Sequence, residues 1–275
     1  MVAEFLTDAK RLSAAALFLL AVAGCGQPGG RMTGPDLTQS EFPFTASPKF
    51  FVDYVDTSGN GDYLPFGTTE EQVLDTVLLA GQPAILVLEQ TRGSDSTVLT
   101  RDTVRYSVTD GDLYLYLSGI EDFASGIDSL GSITTTNGFT EGWYPLLMPS
   151  AGTGGIYSIL ATSFQMTLQS DSLSGGSPLT LNVDVNAWGT DEKQEQVEVQ
   201  QKTYQTTVYT ISIQLTLRVG FIVLPQKPTL VVAYWTSPGS GVVMRESQPV
   251  TVDLSSAGLA PFTIPGTRRE LLPQG

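Results

Sequence analysis

Tyr209-Thr210-Ile211-Ser212-Ile213-Gln214-Leu215-Thr216-Leu217-Arg218-Val219 alternates without a break. Tyr209, Ile211, Ile213, Leu215, Leu217 and Val219 take one side, and Thr210, Ser212, Gln214, Thr216 and Arg218 take the other. Successive side chains of a strand point to opposite faces, so this stretch specifies a strand with one dry and one wet face. Its eleven residues would span about 36 Å at about 3.3 Å each, well beyond the usual strand.

The same period recurs on both sides of it. Val104, Tyr106 and Val108 alternate with Thr103, Arg105 and Ser107, and Leu113, Leu115 and Leu117 lie opposite Tyr114 and Tyr116. Phe164, Met166 and Leu168 alternate with Gln165, Thr167 and Gln169. Leu179, Leu181, Val183 and Val185 alternate with Thr180, Asn182 and Asp184, and Val250, Val252 and Leu254 repeat the pattern near the end. Asp110-Gly111 between two such runs signals a tight hairpin, and Ser174-Gly175-Gly176-Ser177 and Ser237-Pro238-Gly239 signal further turns. One-sided strands belong to antiparallel sheets. A long series of them must curl into a barrel or cover its apolar face. The expected fold is therefore all-β with few short helices: a large curved antiparallel sheet, half-barrel or barrel-like.

Helical signals are few. Thr68-x-x-Glu71 ahead of Val73-Leu74 and Val77-Leu78 has the form of a capping box, but the stretch also reads as a strand running into the Ala80-Gly81-Gln82-Pro83 turn, and the strand is preferred. Glu121 to Leu130, with Phe123, Ile127 and Leu130 at helical spacing, is the better helix candidate and could serve as a lid on the sheet.

The first residues place the protein. Lys10-Arg11 precede a short apolar run, Leu12 to Ala23, which ends in Val22-Ala23-Gly24-Cys25, and Cys25 is the chain's one cysteine. The run is too short to span the roughly 30 Å hydrocarbon layer as a helix and reads as a secretory signal. Its close resembles the lipobox of bacterial lipoproteins, although Glu4 and Asp8 are unusual in such a leader. The resemblance implies cleavage before Cys25, a covalent lipid on its thiol and attachment of the mature chain to a membrane, several acyl chains holding firmly where one does not. Gly26, rather than Asp, follows the cysteine. By the sorting rules of proteobacteria this implies the outer membrane, with the domain facing the periplasm or the cell surface. The expected organisation is residues 1–24 as signal peptide, 25–49 as acylated start and flexible Gly/Pro/Thr/Ser tether, and 50–275 as a single β-rich domain.

Composition narrows the chemistry. The chain carries 28 acidic and 14 basic residues, a net charge of −14, which repels phosphate backbones and argues against a nucleic-acid partner. A solvated acidic surface is the plain reading of that charge. There is no histidine, so the commonest general base, the usual zinc ligand and every Ser-His or Cys-His nucleophile are missing. One cysteine allows no internal disulfide. A carbohydrate-active enzyme working through carboxylates stays chemically possible as a minor reading, and the main expectation is no enzyme.

Two motifs carry weaker signals. Asp56, Ser58, Asn60 and Asp62, with Gly61, follow the first half of a calcium-loop pattern, but Gly67 stands where the bidentate glutamate belongs. An ordinary turn is the preferred reading, and no metal or cofactor is expected beyond the lipid on Cys25. Trp143, Trp188 and Trp235 could line a groove, although core packing is the usual fate of aromatics on strands.

Tyr63-Leu64-Pro65-Phe66, the hairpin Asp110-Gly111-Asp112-Leu113-Tyr114, the segment from Val197-Glu198-Val199 to Tyr204, and Tyr234-Trp235-Thr236-Ser237-Pro238-Gly239-Ser240-Gly241-Val242-Val243-Met244-Arg245-Glu246 occur in an order that resembles a group of uncharacterised bacterial lipoproteins. Those in turn resemble the LolA/LolB-like lipoprotein-carrier superfamily. The resemblance covers roughly residues 62–247 and implies a strongly curved sheet with helices or loops over its concave apolar face. It brings no catalytic residues. It implies a non-catalytic envelope lipoprotein that binds a lipid-like or other hydrophobic ligand, or else a structural protein whose concave face is filled and whose partner is another envelope protein.

Overall fold

The computed structural model describes residues 42–56, 58–119, 131–168, 179–220, 222–257 and 261–273. Strands dominate: β1 (Lys49–Asp56), β2 (Leu64–Leu79), β3 (Gln82–Gly93), β4 (Val98–Thr109), β5 (Asp112–Leu117), β6 (Gly131–Asn137), β7 (Gly142–Leu147), β8 (Ile156–Leu168), β9 (Leu179–Val199), β10 (Lys202–Val219), β11 (Ile222–Val223), β12 (Thr229–Ser237), β13 (Gly241–Ser247), β14 (Val250–Val252), β15 (Phe262–Ile264) and β16 (Gly266–Leu271). Helical structure among the described residues is confined to two 3-10 turns, Pro149–Ala151 and Ser255–Ala257.

Fourteen strands form one antiparallel sheet in the order β6-β8-β9-β10-β12-β13-β16-β1-β2-β3-β4-β5-β7, with β11 appended to β10, and the sheet nearly closes into a barrel with one seam. β14 and β15 pair separately. The order joins two meanders. β1 to β5 fold back and forth on one side, and β8 to β13 do so on the other. β16 lies between β13 and β1 and pairs with both, Phe51 facing Leu271 and Met244 facing Glu270.

Each alternating set feeds one core. Val104, Leu113, Leu115, Leu117, Phe164, Met166, Leu181, Val183, Val185, Tyr209, Ile211, Ile213, Leu217, Val252 and Leu254 are all buried in the main cluster. The stretch with the capping-box pattern is strand β2, because it pairs along its length with β3 and, over its first half, with β1. The Glu121–Leu130 helix candidate and the Ser174–Ser177 turn lie outside the described residues, as do the leader and Cys25.

The turns follow their chemistry where Gly is present. Ala80-Gly81 and Asp110-Gly111 have positive φ at both positions, as a two-residue hairpin that matches strand twist requires. Gln200-Gln201 does the same with φ of 49° and 64° and no glycine. There the Gln200 amide donates to Tyr54 Oη at 2.8 Å and to Glu270 Oε2 at 2.6 Å, offsetting part of the backbone cost.

β9 and β10 run 21 and 18 residues. Opposite Val208-Tyr209, Glu192 is an extra residue in β9: Val208 faces Lys193 and Tyr209 faces Asp191. A bulge of this kind exchanges the two faces of the strand that carries it. Before it, Leu181, Val183, Val185 and Ala187 look into the main core. After it, Val197 faces Tyr204 and contributes to a second, smaller cluster with Phe51, Val199, Val243, Met244 and Leu271.

The tether expected to run to residue 49 ends earlier. Phe42 is 3% exposed and belongs to the main core, its ring 6.4 Å from that of Tyr209. Phe44 packs 5.5 Å from Tyr106. The polar, Pro-rich composition around these two phenylalanines reads as linker, yet two anchored rings are enough to hold the segment down.

Candidate functional site

Charged residues collect where β1, β2, β3, β13 and β16 meet, on the inward face of the sheet. Register explains the gathering. Asp53 faces Arg269, Arg269 faces Arg245, and Arg245 faces Tyr234 across three successive strand pairs. On the other side Glu71 faces Glu89, and Thr69 faces Thr91.

Arg269 is the centre of this group and only 6% exposed. Its Nε donates to Asp53 Oδ1 at 2.7 Å, Nη1 to Glu89 Oε2 at 3.2 Å, and Nη2 to Thr69 Oγ1 at 2.9 Å. Glu71 Oε1 lies 3.7 Å from Nη1. Thr69 completes the network by donating to Asp53 Oδ2 at 2.6 Å and sharing a 2.7 Å contact with Thr91 Oγ1. Burial opposes charge on this guanidinium, but Asp53, Glu89 and Glu71 together outweigh it and raise its pKa further. A buried charge is tolerated when its hydrogen bonds are met in this way. Glu71 shows the opposite balance. Burial first, and then the like charge of Glu89, push its carboxyl up to about 7 against the pull of Arg269, Lys49 and Arg245.

A cavity of about 80 Å³ opens beside this group. Glu71, Glu89, Arg245, Arg269, Tyr106 and Tyr234 form its polar wall, and Phe42, Phe44, Leu113, Leu146 and Leu147 form its apolar one. The segment from Phe42 to Lys49 lies along it. Lys49 Nζ ties that segment down by donating to Pro43 O at 3.0 Å and to Ser240 O at 2.9 Å, and burial lowers its pKa despite Glu71. A second cavity, about 30 Å³, is enclosed by Leu115, Leu117, Ile211, Ile213 and Val232 among other apolar residues. Neither approaches the several hundred Å³ of a pocket for a drug-sized ligand. Among the described residues the apolar side chains of the concave face pack into one buried cluster around these two cavities.

The residues singled out from sequence fall elsewhere. Asp56 accepts Ser58 N–H at 3.0 Å and Gly59 N–H at 2.7 Å on Oδ1, and Gly61 N–H at 2.8 Å on Oδ2. Both oxygens of the candidate calcium ligand are thus engaged by the loop's own amides, and Ser58 bridges to Asn60. Asp62 accompanies them in an exposed loop. Trp143 donates to Leu79 O at 3.2 Å and sets its ring edge-on to Tyr116. Trp235 donates to Glu195 Oε1 at 2.6 Å, and Trp188 is half-buried opposite Ser158 and Ser212. The three tryptophans sit on β7, β9 and β12, and none lines either cavity.

The Asp53–Glu71–Glu89–Arg245–Arg269 group was not expected from sequence, although a signal exists. Asp53 shares strand parity with Phe51 and Val55, Glu89 with Ile85 and Val87, and Arg269 with Leu271. A charge in register with buried apolar residues is the mark of a polar cluster inside a sheet.

No protein-family model matches the chain, and no curated protein matches it significantly. Two solved structures are similar. One is a suspected lipoprotein from Parabacteroides distasonis, 13% identical, with 85% of this chain and 97% of that one covered at a TM-score of 0.49. The other is a suspected exported protein with a YmcC-like fold from Bacteroides fragilis, 10% identical, with 84% and 96% covered at a TM-score of 0.42.

Proposed function

We propose that this chain is a non-catalytic lipoprotein of the bacterial cell envelope, held to a membrane through a lipid on Cys25, whose packed β-barrel acts as a rigid body for contact with another envelope component. The observation that carries this reading over that of a lipid carrier is the filled interior. Among the described residues the two interior cavities, about 80 and about 30 Å³, leave no room for a long acyl chain, and a larger hollow of about 630 Å³ is an open one beside the exposed Ser58–Leu64 loop and Arg268. The absence of histidine and the engagement of Glu89 and Asp53 by Arg269 speak for binding rather than catalysis.

Radiolabelled palmitate tests the anchor: it should appear on the wild-type chain and vanish with Cys25→Ser. Native mass spectrometry of the chain isolated from cells should find no non-covalent long-chain lipid. A stoichiometric lipid there would return the function to carriage and require the Phe42–Lys49 segment to move aside.

A further inference from the structure

The cavity beside Arg269 holds a second cation, Arg245, and a buried phenol, Tyr234, that meet each other there. Arg269 itself is engaged at all three nitrogens by Asp53, Glu89 and Thr69. Arg245, its neighbour across β13 and β16, makes no ion pair among the described residues. Tyr234 is 4% exposed. Its hydroxyl lines the cavity beside the Arg245 guanidinium with no hydrogen bond of good geometry among the described residues. Leaving a buried hydroxyl unmet costs on the order of 1–3 kcal/mol, so an acceptor in this position would be favoured. Lys49 adds a third donor, since its two hydrogen bonds to Pro43 O and Ser240 O leave one N–H free. Of the two carboxylates that line the cavity, Glu89 is engaged by Arg269, and Glu71 is the one acceptor that competes for Arg245.

Size and the second wall narrow the ligand. About 80 Å³ holds roughly six water-sized volumes at the 10–15 Å³ each needs. The remaining surface, Phe42, Phe44, Leu113 and Leu147, is apolar and would reject a free inorganic anion, which prefers water.

We propose that this cavity binds a small monoanionic amphiphile, a carboxylate of roughly four to six carbons, whose head accepts hydrogen bonds from Arg245 and Tyr234 and whose body lies against Phe42, Phe44, Leu113 and Leu147. The charge of Glu71 modulates it. Glu71 is faced by Lys49 on β1, Glu89 on β3, Arg245 on β13 and Arg269 on β16, with the neutral phenols of Tyr106 and Tyr234 nearby. Once protonated, Glu71 no longer repels an anion or competes for Arg245. The proposal is independent of the lipid anchor, since palmitate labelling that fails leaves this cavity unchanged.

The test is titration of the processed chain, as isolated from cells, with butyrate and hexanoate, read by calorimetry and by shifts of core methyl resonances. Saturable binding is expected, weakened at least ten-fold by Arg245→Gln and at least three-fold by Tyr234→Phe. 1-Butanol and n-butylamine should bind at least ten-fold more weakly than butyrate. Binding should tighten as pH falls through about 7, and Glu71→Gln should remove that dependence. A folded wild-type chain that binds neither carboxylate overturns the proposal, as does equal affinity for the amine or alcohol. If Arg245→Gln does not fold, Tyr234→Phe and the head-group series decide, and carboxylate binding that Tyr234→Phe leaves unchanged also overturns it.

Discussion

Single residues carry most of the tension in this barrel. Removing Arg269 would strand Asp53 and Glu89 as buried, unpaired carboxylates, and breaking a buried pair on one side typically costs about 3–5 kcal/mol. Arg269→Met should therefore lower the stability measured by urea unfolding by about that much, and combining it with Asp53→Asn should recover part of the loss. Glu71 acts in the other direction. The fold raises its pKa from the ordinary 4.5 to about 7, so the folded chain keeps a proton that the unfolded chain has released. Its favourable share of stability is complete below about pH 4.5 and is lost as pH rises to about 7, a loss of at most about 3 kcal/mol. Glu71→Gln should flatten the fall in melting temperature across that window. Gly189 is fixed by sterics. A Cβ there would lie 2.1 Å from the ring of Tyr157, whose hydroxyl is held by Leu146 O at 2.7 Å. Gly189→Ala should cost about 1–3 kcal/mol by chemical denaturation, and adding Tyr157→Ala should relieve the clash while giving up that ring's packing.

At the scale of elements, legibility follows the alternation. Tyr209 to Val219 and Leu179 to Val185 announce themselves because each buries one face against a single core. The middle of β9 does not, since Thr190-Asp191-Glu192-Lys193-Gln194-Glu195 is a polar run with no apolar period to read. That stretch is a strand because β10 pairs with it on both sides of the bulge and β8 reaches Thr190. The bulge at Glu192 then shifts the register of whatever period remains. The Gln200-Gln201 turn is equally silent, since neither residue favours positive φ. Gln201→Gly should relieve it and raise stability by about 1 kcal/mol, measured by thermal or urea unfolding. Gln200 is the poorer choice, because its amide holds Tyr54 and Glu270. Phe42 and Phe44 are illegible for a different reason: two rings in a polar context have no period to read.

For the molecule as a whole, the all-β class and the curled sheet were readable from one-sided strands, whereas strand order was not. Period two says which face is buried and nothing about which edges meet. The inward charges could have been found by comparing Asp53 with Phe51 and Val55, but their partners on β3, β13 and β16 are distant in sequence and only the strand order β13-β16-β1-β2-β3 brings them together. Deleting residues 266–271 would bare one edge of β1 and one of β13 at once and leave Asp53 without its cation. Such a truncation should abolish cooperative unfolding, monitored by near-UV circular dichroism, rather than merely lower the midpoint.

The position of β16 also sets a schedule. During synthesis, β1 waits with one edge bare until β2 to β15 have been made, because the segment that will cover it follows them along the chain. Pairings so far apart along the chain form slowly, and no earlier segment substitutes for them. Under the export proposed above, such late closure would serve the chain: the vault cannot set before its keystone has been made.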